Sequence, residues 1–202
     1  MSTYSKFKFT SVFSVLFIAS VSNAAIIVTG SYEAFDALVA TRSGAILEED
    51  FSGYSGFYNS GLTGGSGDLA WTATAVGGLL ANSPTFAMST FRQNAVFTMA
   101  FSSPNVFAIG GNFFNVNYEL AILPGLVTIS SGGLEYVYSS NGASSSFAGF
   151  MSTNGSISSI SFAPFVNGSW ASTSRVVVGV VPSPAVLALG ALAGAFGRRR
   201  RN

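Results

Sequence analysis

The sequence predicts an all-β protein: an antiparallel, jelly-roll-like β-sandwich with one short N-terminal helix, preceded by a signal peptide and followed by a C-terminal transmembrane helix. Three observations predict the body. Runs rich in β-branched and aromatic residues alternate with Gly, Ser and Asn clusters. The pair Asn-Gly recurs every 13 residues, at positions 141, 154 and 167. About nine short strands between residues 25 and 180 favour two sheets, because one open sheet would leave an apolar face in water.

The first 24 residues are typical of a secretory signal peptide. A short start carrying Lys6 and Lys8 leads into an apolar stretch over residues 9–21, and small residues follow up to Ala24. We expect the chain to enter the secretion translocon and signal peptidase to cleave after Ala24, with Ala25 as the neighbouring choice. The apolar stretch is short for a permanent anchor, and an uncleaved N-terminal anchor is the alternative.

One short helix is predicted at the start of the body, over Tyr32–Thr41. Ser31 is a favourable N-cap before it, and Gly44 ends the helical pattern after it. Its apolar face is formed by Phe35, Leu38 and Val39.

Strands are predicted for the rest of the body, because no helical pattern follows. The predicted strands are residues 45–51, 70–75, 95–101, 106–113, 126–130, 134–139, 146–151, 156–162 and 175–180. Residues 53–68 are predicted to form a long irregular loop carrying Tyr54, Phe57 and Tyr58.

The three Asn-Gly pairs predict tight hairpins and hence a meander of adjacent strands. Both residues tolerate positive φ, which type I′ turns require. In the strand over residues 156–162, Ile160 and Phe162 share one face while Ser159 and Ser161 share the other. This strand is therefore expected to be half-buried.

The C-terminal 22 residues have three parts. Pro182, Ser183 and Pro184 are followed by 13 uncharged residues, 185–197, and then by Arg198–Arg201. The prolines force an apolar helix to begin near residue 185, and at 1.5 Å per residue it spans roughly 20 Å of a ~30 Å hydrocarbon core. Four arginines hold the end on the cytoplasmic side, and their long side chains absorb part of the mismatch.

These three parts, in this order, resemble the PEP-CTERM protein-sorting tail. The resemblance implies processing by exosortase, a membrane-embedded cysteine protease–transpeptidase of bacteria that make exopolysaccharide. It makes Pro182, Ser183 and Pro184 the recognition motif and Arg198, Arg199, Arg200 and Arg201 the retention cluster. Ser183 stands where the family has Glu. A plain C-terminal anchor that is never cleaved is the alternative.

The body also resembles the passenger domains that precede such tails. Those run from a Phe-containing helix into a strand that ends in acidic residues and Phe, and later carry a Phe-Gly-Phe strand. The matching stretches here are Phe35, residues 48–51, residues 147–150 and residues 157–162. The last strand of many relatives carries an acidic pair, whereas residues 175–178 here are Arg-Val-Val-Val.

Composition excludes several kinds of chemistry. The 202 residues include no His and no Cys, which removes disulfides, thiolate catalysis, Ser-His-Asp triads and imidazole- or thiolate-bound metals. Residues 25–180 contain three arginines and all eight acidic residues, a net charge of −5. A body of this sign has no basic patch for phosphates, so nucleic acid is not an expected partner.

Carboxylates are the only strong acid–base groups left. On a strand, Glu48 and Asp50 share a face while Glu49 points away, and either Glu48 with Asp50 or Glu119 with Glu135 is an imaginable glycosidase pair. Their spacing does not demand catalysis, so we expect a solvated strand end or a structural role, and no catalytic residues or metal site are assigned. Calcium is a candidate cofactor only if loops bring Glu48, Asp50 and Asp68 together.

Aromatic side chains are the second set of candidates. Trp71 and Trp170, with Tyr54 and Tyr58, offer flat apolar faces with a polar edge, which suits stacking on sugar rings. In a chain that is 14% aromatic, most such rings are expected in the core.

The favoured function is that of an exported, non-enzymatic protein. After a transient single-pass membrane stage it is sorted to the cell surface or extracellular matrix, where it associates with exopolysaccharide. The alternative is a secreted carbohydrate-active enzyme or carbohydrate-binding module on a β-sandwich. Two carboxylates converging in one cleft beside Trp71 or Trp170 would favour the enzyme, whereas scattered carboxylates would favour the matrix protein.

Overall fold

The computed structural model of the chain describes residues 26–82, 87–140, 146–165 and 167–181. They form an all-β body with two antiparallel sheets and one α-helix, which confirms the predicted β-sandwich class. Within these ranges no helix has the length and apolarity to cross a membrane. Several predicted features lie outside the described residues: cleavage after Ala24, the motif Pro182, Ser183 and Pro184, the predicted helix over residues 185–197, and Arg198–Arg201.

The helix α1 spans Tyr32–Thr41, and a single 3-10 turn spans Gly67–Leu69. The strands are β1 (Ile26–Thr29), β2 (Ala45–Glu49), β3 (Gly56–Tyr58), β4 (Leu62–Gly64), β5 (Trp71–Ala75), β6 (Leu79–Asn82), β7 (Ala87–Thr90), β8 (Phe97–Phe101), β9 (Val106–Val116), β10 (Ile122–Leu123), β11 (Gly125–Ser131), β12 (Leu134–Ser140), β13 (Phe147–Ser152), β14 (Ser159–Pro164) and β15 (Trp170–Val180).

Two sheets divide these strands. The nine-stranded sheet runs β1-β13-β9-β15-β7-β6-β3, with β10 paired to β9 and β2 paired to β15. The six-stranded sheet runs β12-β11-β14-β8-β5-β4. The long strands β9 and β15 pair along most of their length, and a register shift between Thr173 and Arg175 separates the part of β15 that pairs with β7 from the part that pairs with β2.

The main core lies between the two sheets. Phe162 from β14 stacks on Phe97 of its own sheet at 4.6 Å between ring centroids, and it contacts Phe113 of the other sheet at 4.7 Å. Ile160 and Phe162 are buried while Ser159 and Ser161 are half-exposed, so the predicted alternation of this strand is confirmed.

Helix α1 covers one part of the outer face of the nine-stranded sheet. Its predicted bounds and cap are confirmed, since the Ser31 hydroxyl accepts a hydrogen bond from the Ala34 N–H at 3.2 Å. Phe35 is fully buried above Gly149, where an added Cβ would lie 2.6 Å from the Phe35 ring. A small residue in the strand thus lets the helix approach closely.

The prediction for residues 53–68 was wrong in part. This segment contains β3 and β4, and the structure also has β1, β6, β7 and β10, which were not predicted. These strands have only two to four residues each. A segment so short shows little alternation in its sequence, and pairing with a neighbour is what fixes it as a strand.

The predicted meander was wrong as well. The segments with Asn154-Gly155 and Asn167-Gly168 join β13 to β14 and β14 to β15, and in each case the two strands belong to different sheets. Asn141-Gly142 lies outside the described residues, but β12 before it and β13 after it are also in different sheets. Asn-Gly favours a reversal of the chain, and here the chain crosses between sheets instead of returning beside the strand it left.

Candidate functional site

Two exposed aromatic rings, Phe57 and Phe91, lie beside the partly buried Trp170 on the nine-stranded sheet, and we call these three the aromatic surface. The Phe57 and Phe91 side chains are 48% and 51% exposed, and their ring centroids lie 4.4 Å apart. The Trp170 indole N–H donates to the Phe91 carbonyl at 3.2 Å, which fixes it beside this pair. Exposed apolar rings in contact with one another are typical of interaction sites.

The strands β3, β6, β7 and β15 set the position of these rings. Phe57 on β3 pairs with Leu80 on β6, and Leu80 pairs in turn with Ser89 on β7. The Ser89 hydroxyl contacts the Ser172 hydroxyl on β15. Leu79, one residue from Leu80, is buried in the core between the sheets, so Leu80 and its partners face outward. The aromatic surface therefore lies on the outer face, where Trp170 packs on Phe114 and Val116.

A glycine turn brings β6 and the loop after β7 together beneath the rings. Gly77 and Gly78 have φ of +83° and +98°, a region that side chains with a Cβ avoid. The Phe57 ring lies over Gly78, and the Arg92 side chain lies over Gly77. The Phe91 N–H donates to the Gly78 carbonyl at 2.9 Å, so one backbone turn positions two rings and one guanidinium.

Amide groups border the aromatic surface. The Asn94 side chain donates to Asn167 Oδ1 at 2.8 Å and accepts from the Gly168 N–H at 3.0 Å. The Asn94 N–H also donates to the Ser169 carbonyl. These bonds join the loop after Phe91 to the loop before Trp170, so the polar edge and the rings form one unit.

Trp71 occupies a different environment from Trp170. It is 3% exposed in the core, with its indole N–H donating to Glu49 Oε2 at 2.9 Å and the rings of Phe51 and Tyr54 against it. The expectation that Trp71 stacks on a sugar is corrected by this burial, which leaves no ring face open. Burial, together with the Glu49 charge, raises the pKa of Tyr54.

The two other rings that the sequence singled out differ in role. Tyr58 packs partly against the core and donates its hydroxyl to the Ser55 carbonyl at 3.0 Å. Phe57, predicted only as a loop residue, lies on strand β3 in the aromatic surface. Phe91 was not predicted, and its sequence context was the available clue: a single Phe followed by the polar residues Arg92, Gln93 and Asn94.

Four of the carboxylates that the sequence named have different hydrogen-bond partners. Glu48 pairs with Arg175 at 2.8 Å, and Glu49 accepts from Trp71. Asp50 accepts from the Ser52 N–H at 2.9 Å, a bond that lowers the pKa of this carboxyl. Asp68 accepts from Ser103 and Asn105.

Within the described ranges, no three acidic side chains are grouped to hold a metal ion. Glu119 sits on the turn before β10, where it accepts from the Tyr118 hydroxyl at 2.9 Å, and Glu135 lies on β12.

Comparisons with known proteins found little. No family model and no curated protein matches the chain. One solved structure that is similar is the exo-β-1,3-galactanase from Phanerochaete chrysosporium with galactose, at 17% identity and a TM-score of 0.34. The match covers 67% of this chain and 29% of that one.

Proposed function

We propose that this protein is an exported, non-enzymatic component of the cell surface or extracellular matrix, and that its β-body binds polysaccharide through the aromatic surface. The observation that carries the proposal is the exposed contact between Phe57 and Phe91 beside Trp170. We also propose that the body is jelly-roll-like, because its last three connections, β12–β13, β13–β14 and β14–β15, each cross between the sheets.

The chemistry of the aromatic surface suits a sugar chain. Aromatic faces pack on the C–H faces of pyranose rings, and an adjacent polar edge supplies hydrogen bonds to hydroxyl groups. Asn94, Asn167 and Arg92 stand at that edge. Because the body between residues 25 and 180 carries a net charge of −5, a neutral polysaccharide is a better partner than an anionic one.

The tail supplies the route to the surface. We propose that signal peptidase cleaves after Ala24 and that exosortase reads Pro182, Ser183 and Pro184 while Arg198–Arg201 stay in the cytoplasm. Strand β15 ends at Val180, shortly before this motif in the sequence. The processed chain then resides at the cell surface or outside the cell.

The alternative, a secreted carbohydrate-active enzyme, has less support. Glycoside hydrolysis requires two carboxyl groups facing each other across one sugar. Glu48 and Glu49 hold Arg175 and Trp71, respectively, and neither bond involves a ring of the aromatic surface. A carbohydrate-binding module is the version of this alternative that agrees with the proposal.

A binding assay with matched variants tests the proposal. Immobilised neutral β-glucan, galactan and mannan, with alginate as the anionic comparison, are presented to the wild-type protein and to Phe57→Ala/Phe91→Ala. We expect binding to a neutral chain that weakens about tenfold in the double variant, ~1.4 kcal/mol. Trp170→Phe, which keeps an aromatic ring but loses the indole N–H, should weaken binding less than the double variant does.

The matched control is Tyr118→Ala, which removes an aromatic ring that is 78% exposed on the turn after β9. It should bind as the wild type does. If a folded Phe57→Ala/Phe91→Ala variant binds the polysaccharides as well as the wild type, the aromatic surface is not the binding site.

A further inference from the structure

We infer that strand β12 is a docking edge for a second copy of this chain, which would extend the six-stranded sheet across a two-fold axis. The inference concerns assembly, and it stands whether or not the aromatic surface binds polysaccharide.

Within the described residues, strand β12 is a long edge with little of the usual protection. In the described part of the chain it pairs only with β11, in unbroken register from Gly125↔Ser140 to Ser131↔Leu134. Natural edges are blunted by short strands, bulges, Pro or charged side chains, Lys above all. The edge strands β3 and β4 have three residues each, whereas β12 has seven, with neither Pro nor Lys and with Glu135 as its one charge.

The strand is also held in place before any partner arrives. Leu134, Tyr136 and Tyr138 pack against the core, and the Tyr138 hydroxyl donates to the Phe113 carbonyl in the opposite sheet. The backbone groups along the open edge are therefore already arranged as a strand. A preordered edge loses less conformational entropy on pairing than a flexible one would.

The side chains of β12 favour its own copy as the partner. The outward residues are Glu135, Val137 and Ser139, and Val137 is 41% exposed. An antiparallel pair centred on Val137 places this residue against Val137 of the second copy and Glu135 against Ser139. The two carboxylates do not face each other, and on the inner side Tyr136 meets Tyr138 of the second copy.

The absence of cysteine makes this contact easy to map. Val137→Cys gives the full chain a single thiol. At the two-fold axis the opposed Cα atoms would be about 4.5–5.5 Å apart, within the range a disulfide spans. In full chain purified in mild detergent and oxidised gently, we expect the main band of Val137→Cys to shift from monomer to disulfide-linked dimer. Thr128→Cys, on the neighbouring strand opposite Val137, should remain monomeric.

Two further cysteines test the register. Glu135→Cys alone and Ser139→Cys alone would each place like thiols about 14 Å apart, four residues at ~3.4 Å. Neither should cross-link by itself, while a mixture of the two should. Cross-linking of Glu135→Cys with itself, or no reaction in the mixture, would overturn the proposed pairing.

Sedimentation gives an independent measurement. The wild-type chain should sediment as a dimer, and Val137→Lys, which sets two ammonium groups face to face, should sediment as a monomer with unchanged circular dichroism. A monomeric wild type, or a dimer that Val137→Cys does not trap, would overturn the inference. The latter result would place the contact between the two copies on another part of the chain.

Discussion

Glu49 is the acidic residue whose loss should damage the fold most, although the sequence pointed to its neighbours Glu48 and Asp50. Its two carboxylate oxygens accept from the Phe51 N–H and the Trp71 indole N–H, each at 2.9 Å. Phe51 has a φ of 60° and is 1% exposed, so this bond holds a strained backbone residue in the core.

The size of the effect follows from the two donors. Glu49→Ala leaves both without an acceptor, and an unsatisfied buried donor costs about 1–3 kcal/mol. Because the carboxylate itself is partly exposed, we take the lower half of that range, about 2–4 kcal/mol for the pair. For a domain of this size the midpoint of thermal unfolding should fall by roughly 5–15 °C. Glu49→Gln, which keeps one acceptor oxygen, should lie between Ala and the wild type.

Glu48→Ala is the matched control. It breaks the ion pair between Glu48 and Arg175, whose side chains are 45% and 27% exposed, respectively. Because such a pair is open to solvent, the loss of stability should be about 0–1 kcal/mol. Thermal unfolding followed by circular dichroism and tryptophan fluorescence compares the variants. Equal losses of stability for Glu48→Ala and Glu49→Ala would refute this reasoning. If Glu48→Ala lost more stability than Glu49→Ala only when calcium is present, the result would favour an ion bound at residues 48–50.

Three further predictions concern other parts of the molecule. Burial raises the pKa of the Tyr138 hydroxyl above its usual 10.0, so the folded state keeps a proton that the unfolded chain loses. The contribution of Tyr138 to stability is then fully present below about pH 10 and declines above it. Urea unfolding midpoints measured at about pH 8 and about pH 11 should show this decline in the wild type. The midpoint of Tyr138→Phe should change less between the two pH values. Gly149→Ala should destabilise by about 1–3 kcal/mol because the new methyl meets the Phe35 ring, while Gly30→Ala, with open space around it, should change urea stability little. Mass spectrometry of surface fractions from producing cells should find mature protein without Arg198–Arg201, and an intact C-terminal peptide there would contradict processing.

Local patterns gave a good account of the longer elements. Ser31 and the spacing of Phe35 and Val39 predicted α1 with its correct bounds, since a cap and an apolar face act over a few neighbouring residues. Strand β14 kept its predicted alternation because Ile160 and Phe162 face the core whichever strand lies beside it. The short strands β3 and β4 had too little pattern of their own to be predicted.

The candidate site was predicted only in part. Trp170 and Trp71 were both named as possible sugar-stacking rings, but Trp170 is partly exposed whereas Trp71 is buried. A ring's exposure depends on what packs against it: Phe51 and Tyr54 close over Trp71, whereas Trp170 stays partly exposed. The partner ring Phe57 comes from a strand 113 residues away in the sequence, a separation that no local pattern bridges.

The sequence by itself determined the class of this protein: β-rich from its β-branched runs, and without thiol or imidazole chemistry. Export and sorting stay predictions from its two termini. These are properties of composition and of short segments, which do not depend on how the chain folds. The tertiary structure decided which strands share a sheet, which rings face water and which edge stays open, because each depends on contacts between residues far apart in the chain. Asn167-Gly168 shows the difference: the sequence marked a place where the chain turns, and the packing of two sheets set its direction.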